Sequence, residues 1–289
     1  VRASVIVSVA VAVLFCLMWV LLSRSFLQIA TSPGKVIHRE YQETHSRKRS
    51  IDVELLIREF SHFTASPNYM LNCGLGTFLM PLCAIAVLWK GNELFAMLDA
   101  MFTEKTDSVL LLLCVVLCGL ASMNFMTAPS VSLEGKSLWL MQSLPIEPWR
   151  IFRAKIRMQL LLTGLPLLLC IVCMVVVYPI HSMQLLMLLL FAGSYVLFMA
   201  LVGLFFGIKM PTLTWTNEVV LIKQGAPVMI TLFGGFGYMV LLFVGFMLLP
   251  GWILGFCWYM SCYVGANLFL SGWVYLWLRK KGVARFSAL

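Results

Sequence analysis

The stretch RMQLLLTGLPLLLCIVCMVVVYP, residues 157–179, decides the fold. After Arg157 it carries no charged side chain, and it is dominated by Leu, Val, Ile, Met and Cys. A helix rises 1.5 Å per residue, so a run of about 20 apolar residues matches the hydrocarbon core of a bilayer. Lipid offers backbone amides no partner, so a crossing segment must satisfy them internally, as a helix. Six more runs read the same way, roughly at 3–22, 70–89, 108–127, 184–207, 227–249 and 252–278. Pro81 and Pro166 fall inside spans and predict kinks. Pro227, after Gly225, suits the first turn of a helix.

Composition agrees with that reading. Hydrophobic residues make up 61% of the 289, charged residues 11%, and mean hydropathy is +0.95. Soluble domains hold about 45–50% apolar and about 25% charged residues, so a water-soluble globule is excluded. The fold class is all-α integral membrane, with about seven transmembrane helices.

The net charge of +9 is not a nucleic-acid signature, because its distribution follows the membrane. Eighteen of the 21 basic residues fall in 23–69, 128–157, 208–226 and the C-terminal tail; Arg2, Lys90 and Lys105 are the rest. The acids Glu93, Asp99, Glu104 and Asp107 stand with Lys90 and Lys105. The positive-inside rule therefore assigns the basic connections and the C-terminus to the cytoplasm. Trp89 and Trp252 read as outer interfacial anchors; Trp19, Trp139, Trp149, Trp273 and Trp277 read as inner ones.

Three segments emerge. Residues 1–22 form an isolated span, too long and too basic in its sequel for a cleaved signal peptide. Residues 23–50 form a polar, breaker-rich cytoplasmic linker. Residues 51–289 form a six-helix unit with a cytoplasmic tail. The unit begins with a short amphipathic helix, Ile51–Ala65, predicted to lie on the membrane surface. Val53, Leu56, Ile57, Phe60 and Phe63 share its apolar face; Asp52, Glu54, Arg58, Glu59, Ser61 and His62 hold the polar one. Ser50 is its expected N-cap, and Ser66-Pro67 ends it.

Residues 130–137, SVSLEGKS, are one residue short of a phosphate-binding loop. Ser130 replaces the first glycine, Glu134 would repel phosphate, and a membrane span stands where a strand is needed. Nucleotide binding is therefore not expected here. The following KSLWLMQS, residues 136–143, is too short to span. It reads either as an interfacial anchor or as an apolar knob for a partner. Arg150, Arg153 and Arg157 follow as a stripe able to reach lipid phosphates.

Other chemistry finds little support. The spans hold no Asp or Glu, so an ion-coupled carrier would lack its coupling group. There is no His-Glu-x-x-His, and His38, His45, His62 and His181 are scattered. Cys170-x-x-Cys173 lies mid-span without a His or acid and reads as small buried hydrophobes. Gly203-x-x-x-Gly207 permits close helix approach. Asn72, Asn124, Gln159 and Asn267, the main intramembrane amides, are expected to bond between helices, with a pathway contact as the alternative. No catalytic, metal-binding or cofactor-binding residue is assigned.

The run Asn124-x-x-Thr127-Ala128-Pro129-Ser130-x-Ser132-x-Glu134-Gly135-Lys136, with Ser143-Leu144-Pro145-Ile146 and Ala154-Lys155, resembles the first cytoplasmic loop of ABC-2 type permeases of ATP-binding-cassette exporters. The likeness is greatest to large bacterial permeases built of two such halves, and this chain resembles the C-terminal half. Arg58-Glu59-Phe60 with Ser66-Pro67-x-Tyr69-x-x-Asn72 is similar to the family's entry helix and first span. Pro211-x-x-x-Trp215-x-Asn217-Glu218, then Lys223-Gln224, is similar to its second loop. The likeness covers about residues 51–230. The short Pro250-Gly251 link departs from relatives that carry a re-entrant segment there.

The resemblance implies an export permease half in the bacterial cell membrane, with partners in separate cytoplasmic ABC ATPase subunits and a second permease half. ATP and Mg²⁺ would belong to the ATPase. Residues 136–144 would be the coupling helix and 212–224 a second contact. Glu134, Gly135, Lys136, Leu138, Trp139, Leu140, Met141, Leu144, Pro145, Trp215, Asn217 and Glu218 would form the coupling set. Glu134, Lys136 and Glu218 would touch the ATPase or brace the loops. The isolated first span and the initial Val favour a preceding half. The alternatives are a non-transporting membrane scaffold or sensor subunit and, behind it, a polytopic enzyme.

Overall fold

The computed structural model describes residues 2–31, 49–102, 107–248 and 255–289. Most of the expected linker (32–48, with His38 and His45), Glu104, Lys105, Pro250-Gly251 and Trp252 lie outside the described residues. The chain divides into two compact units, Val1–Lys48 and Arg49–Leu289. Among its described residues the first holds α1 (Arg2–Thr31). Helix is the regular structure of the described residues throughout, apart from one isolated backbone bridge between Gly74 and Asn124.

The second unit opens with α2 (Ile51–Ala65), α3 (Pro67–Cys73), α4 (Leu75–Met101) and α5 (Asp107–Ser122). A 3₁₀ turn (Ser132–Ser137) leads into the short α6 (Leu138–Ser143). Then come α7 (Pro148–Val177), α8 (Ser182–Lys209), α9 (Glu218–Gln224), α10 (Ala226–Leu248), α11 (Phe256–Trp277) and α12 (Val283–Ser287).

Four stretches among the described residues are long and apolar enough to cross a membrane: Leu75–Met101, Pro148–Val177, Ser182–Lys209 and Glu218–Leu248. That is fewer than the seven read from hydropathy. The apolar helices Val11–Arg24 and Asp107–Ser122 are shorter. In α11, Trp258, Tyr259, Tyr263, Asn267 and Ser271 interrupt the apolar run. On the candidate spans much of the outward surface is apolar, as with Trp89 at 83% exposure and Val176 at 73%. Apolar surface of that extent needs lipid rather than water.

The packing is centred on α8, which meets α5, α7, α10 and α11, while α4 lies along α7 and α5 along α10. Phe191, Tyr195, Leu111, Cys118, Leu242 and Met260 form its core. At one end, Tyr178 donates to Asp99 (3.1 Å) and Gln184 to Asp107 (3.0 Å), tying together the connections after α4 and α7. At the other end, hereafter the loop end, α2, α6, the start of α7 and α12 share a second core containing Leu55, Met141, Phe152 and Phe286.

Two span boundaries differ from expectation for one reason. The run expected at 70–89 breaks at Gly74, and the run expected at 108–127 stops at Ser122. Residues 124–135 are all buried although few of them are helical. The Phe125 amide donates to the Cys73 carbonyl (3.1 Å), and the Tyr69 hydroxyl donates to the Met126 carbonyl (2.6 Å). The loop thus turns inward against the α3–α4 break. Non-helical backbone is tolerable at such depth only when protein groups satisfy it. Glycines make the approach possible: a Cβ at Gly76 would collide with the Leu120 carbonyl oxygen, and one at Gly207 would lie 2.6 Å from the Ala128 carbonyl oxygen.

Candidate functional site

The loop from Asn124 to Leu144 is held by amides and then by charges. Gln159, on α7, is fully used: its Oε1 accepts from the Thr127 amide (2.9 Å) and hydroxyl (2.7 Å), and its Nε2 donates to the Asn124 carbonyl (2.9 Å). The Asn124 side chain accepts from the Thr77 amide of α4 (3.0 Å). The Thr127 hydroxyl, with one proton to share, also stands 2.9 Å from the Ala200 carbonyl of α8. Gly203 and Gly207 face Thr127 and Ala128, so this small-residue pair admits the loop rather than a second helix. One turn thereby joins α4, α7 and α8.

Next to it lies a cluster of four charges. Lys155 on α7 is 1% exposed. Its Nζ is 3.0 Å from both Glu59 carboxylate oxygens and 3.0 Å from Glu134 Oε1. It also donates to the Ser130 carbonyl (3.3 Å). Arg58 Nη2 donates to Glu134 Oε2 (2.8 Å). Two bases face two acids, so the burial is charge-balanced. Burial pushes the Glu134 carboxyl up, but Lys155 and Arg58 outweigh it and hold the carboxyl down at about 2. Arg153, nearer the start of α7, pairs with Asp52 of α2 (3.3 Å).

This cluster corrects the expected face of α2. The helix buries Leu55, Glu59 and Phe63; Val53 and Ile57 are exposed, and Leu56 and Phe60 are half-buried. Glu59 was expected on the solvated face. It faces inward because Lys155 supplies its counter-charge. No side-chain cap is formed by Ser50.

The short helix α6 has two faces. Leu138 and Met141 are buried in the loop-end core. Trp139 (65% exposed), Leu140 and Leu144 point out, and Pro145 is exposed as well. Only part of the expected apolar knob is therefore presented. Gln142 donates to the Phe286 carbonyl of α12 (2.6 Å), tying the helix to the C-terminal segment. The Lys136 side chain lies outside the described residues.

The second loop braces the first. The Trp215 indole N–H donates to the Ser132 carbonyl (2.7 Å), and the Thr212 amide donates to the Ser132 hydroxyl (3.0 Å). Trp215 covers Gly135, whose φ of +50° lies in the left-handed region that disfavours a Cβ. Asn217 caps α9 through the Val219 amide (2.9 Å), and Glu218 accepts from the Ser66 hydroxyl that caps α3. Glu134 and Glu218 are thus both engaged within the chain.

The remaining amides separate. Asn267 accepts from Tyr238 on α10 (2.8 Å) and lies 3.4 Å from the Ser194 hydroxyl on α8. Asn72 instead donates to the Asn68 carbonyl of its own helix (2.8 Å), so the expected interhelical bond is not made. Trp149, read as an interfacial anchor, is buried edge-on against Tyr275. Cys170 and Cys173 are buried free thiols. Among the described residues no group of three or more His, Cys, Asp or Glu side chains is placed to hold a metal ion.

Sequence reasoning missed the Glu59–Lys155 pair. Its signal was the i, i+4 spacing of Leu55, Glu59 and Phe63, which sets an acid in an apolar stripe. Comparison with protein-family models, with curated proteins and with solved structures finds no significant match.

Proposed function

We propose that this chain is the transmembrane permease subunit of an ATP-driven exporter, energised by a separate ABC ATPase docking on residues 128–157 and 208–226. The observation that carries this reading is α6. Its Trp139 and Leu140 stand exposed on a helix whose opposite side is anchored by Leu138 and Met141. A load on that tip would pass through the Glu134–Lys155 ion pair into α7, a candidate span. The paired loop 211–218 would stiffen the lever through Trp215. The spans 157–179 and 184–207 carry no acid, which suits an energy source supplied by another chain.

In this reading the broken α3–α4 pair counts as one span. Helices α5 and α11 complete the six-helix unit of residues 51–289, and α1 is the seventh crossing. The loop end and the C-terminus face the cytoplasm of a bacterial cell, in its plasma membrane. A second permease half completes the pathway. ATP and Mg²⁺ bind the ATPase, and this chain performs no chemistry.

Replacing Trp139 and Leu140 by Glu tests the proposal directly. Affinity capture of the wild-type chain from native membranes should bring down an ATPase subunit. The double variant should insert equally well and lose it. Retention of the ATPase by the variant would overturn the docking role of α6. Absence of any ATPase from the wild-type capture would favour the scaffold reading.

A further inference from the structure

Between α7, α8 and α11, at the loop end, lies an apolar groove of about 500 Å³. Leu197, Leu201 and Leu268 are among its walls, and Arg153 and Arg157 stand in the same lining. The groove presents hydrogen-bond donors that are wholly or partly without acceptors. Arg157 is exposed and has no ion-pair partner among the described residues. Arg153 spends one guanidinium nitrogen on Asp52, while its buried Nε has no partner. Ser271 is 4% exposed, and its hydroxyl is likewise unpartnered. A buried donor left without an acceptor is destabilising, so the site favours a ligand that brings acceptor oxygens.

From this juxtaposition we infer that the groove binds one anionic phospholipid from the bilayer. Its phosphate would sit against Arg153 and Arg157, and one acyl chain would run along Leu197, Leu201 and Leu268. Phosphate oxygens accept and cannot donate, which matches two guanidinium groups and a hydroxyl. The leucine wall matches a hydrocarbon chain and not a free anion. Gly272 supports the assignment, because a Cβ there would meet nothing within 4 Å. The space beside α11 is therefore empty of protein. The inference requires only a chain embedded in lipid and does not depend on an ATPase partner.

The test is native mass spectrometry of the full chain released from nanodiscs of phosphatidylcholine with a minority of phosphatidylglycerol. The wild type should retain one phosphatidylglycerol in preference to phosphatidylcholine, and excess inorganic phosphate should not displace it. Arg157→Gln should lower that retention about fivefold, the weight of one basic residue toward an anionic headgroup. Gly272→Leu should fill the groove and abolish retention while thermal stability is unchanged. Equal retention of the two lipids, displacement by inorganic phosphate, or wild-type retention by both variants would overturn the proposal.

Discussion

Lys155 Nζ and Glu134 Oε1 lie 3.0 Å apart, with both side chains nearly inaccessible to solvent. The contact joins a loop of irregular backbone to Lys155 near the start of a long helix, α7, and Glu59 on the same ammonium adds α2 to the joint. Because the cluster is balanced, removing one member exposes the others to an uncompensated buried charge.

Lys155→Met should therefore destabilise the protein by about 3–5 kcal/mol, the cost of stranding buried partners. Adding Glu59→Gln and Glu134→Gln in the same chain should recover much of the loss. Thermal melting in detergent checks both, and a Lys155→Met protein as stable as wild type would contradict the joint.

The acid response has a definite sign. Glu134 is held at about 2 against an ordinary value of 4.5. A carboxyl depressed in the folded state stabilises above its unfolded pKa and loses that contribution as pH falls through the folded one. The stability gap between wild type and Glu134→Gln should be constant above pH 4.5 and close progressively toward pH 2.

Gly135 combines a φ of +50° with the Trp215 ring, and a Cβ would lie 3.0 Å from the indole nitrogen. Gly135→Ala should cost about 1–2 kcal/mol from the left-handed backbone alone, and it should shift tryptophan emission by displacing Trp215. Trp215→Phe should lose about 1 kcal/mol with the hydrogen bond to Ser132.

Gln159→Leu removes one acceptor and one donor from the inward turn at Asn124–Thr127. The orphaned Thr127 amide and Asn124 carbonyl should cost about 1–3 kcal/mol each. Hydrogen exchange at the Thr127 amide should accelerate in this variant and stay slow in Asn72→Leu, whose side chain bonds only its own helix.

The exposed tip behaves oppositely. Trp139→Glu with Leu140→Glu should change melting by no more than about 0.5 kcal/mol, as substitutions away from packed features do. A large loss would mean that the tip is packed against something within this chain.

Much of the architecture was legible in advance. The charge-free runs at 158–179 and 184–207 specify buried-in-lipid helices because hydrocarbon leaves the backbone no alternative. The alternation of basic and acidic connections reappears as two ends, one holding Asp99 and Asp107 and the other holding the Arg58–Glu134–Lys155 cluster. The breaks at Gly74 and Ser122 were not legible. Apolar composition continues through both, and at the first the Cys73 carbonyl is taken by the Phe125 amide, 52 residues away in sequence (125 − 73).

Sequence by itself determined the solvent of this protein, its helical class and the residues that punctuate it, because those follow from transfer free energy and local backbone geometry. Tertiary structure alone decided which face of α2 turns inward and which half of Leu138–Met141 is presented. It also decided which amide spans helices, since Asn267 does and Asn72 does not. Such choices depend on counter-charges and hydrogen-bond partners brought from distant segments, and no local pattern encodes where they arrive.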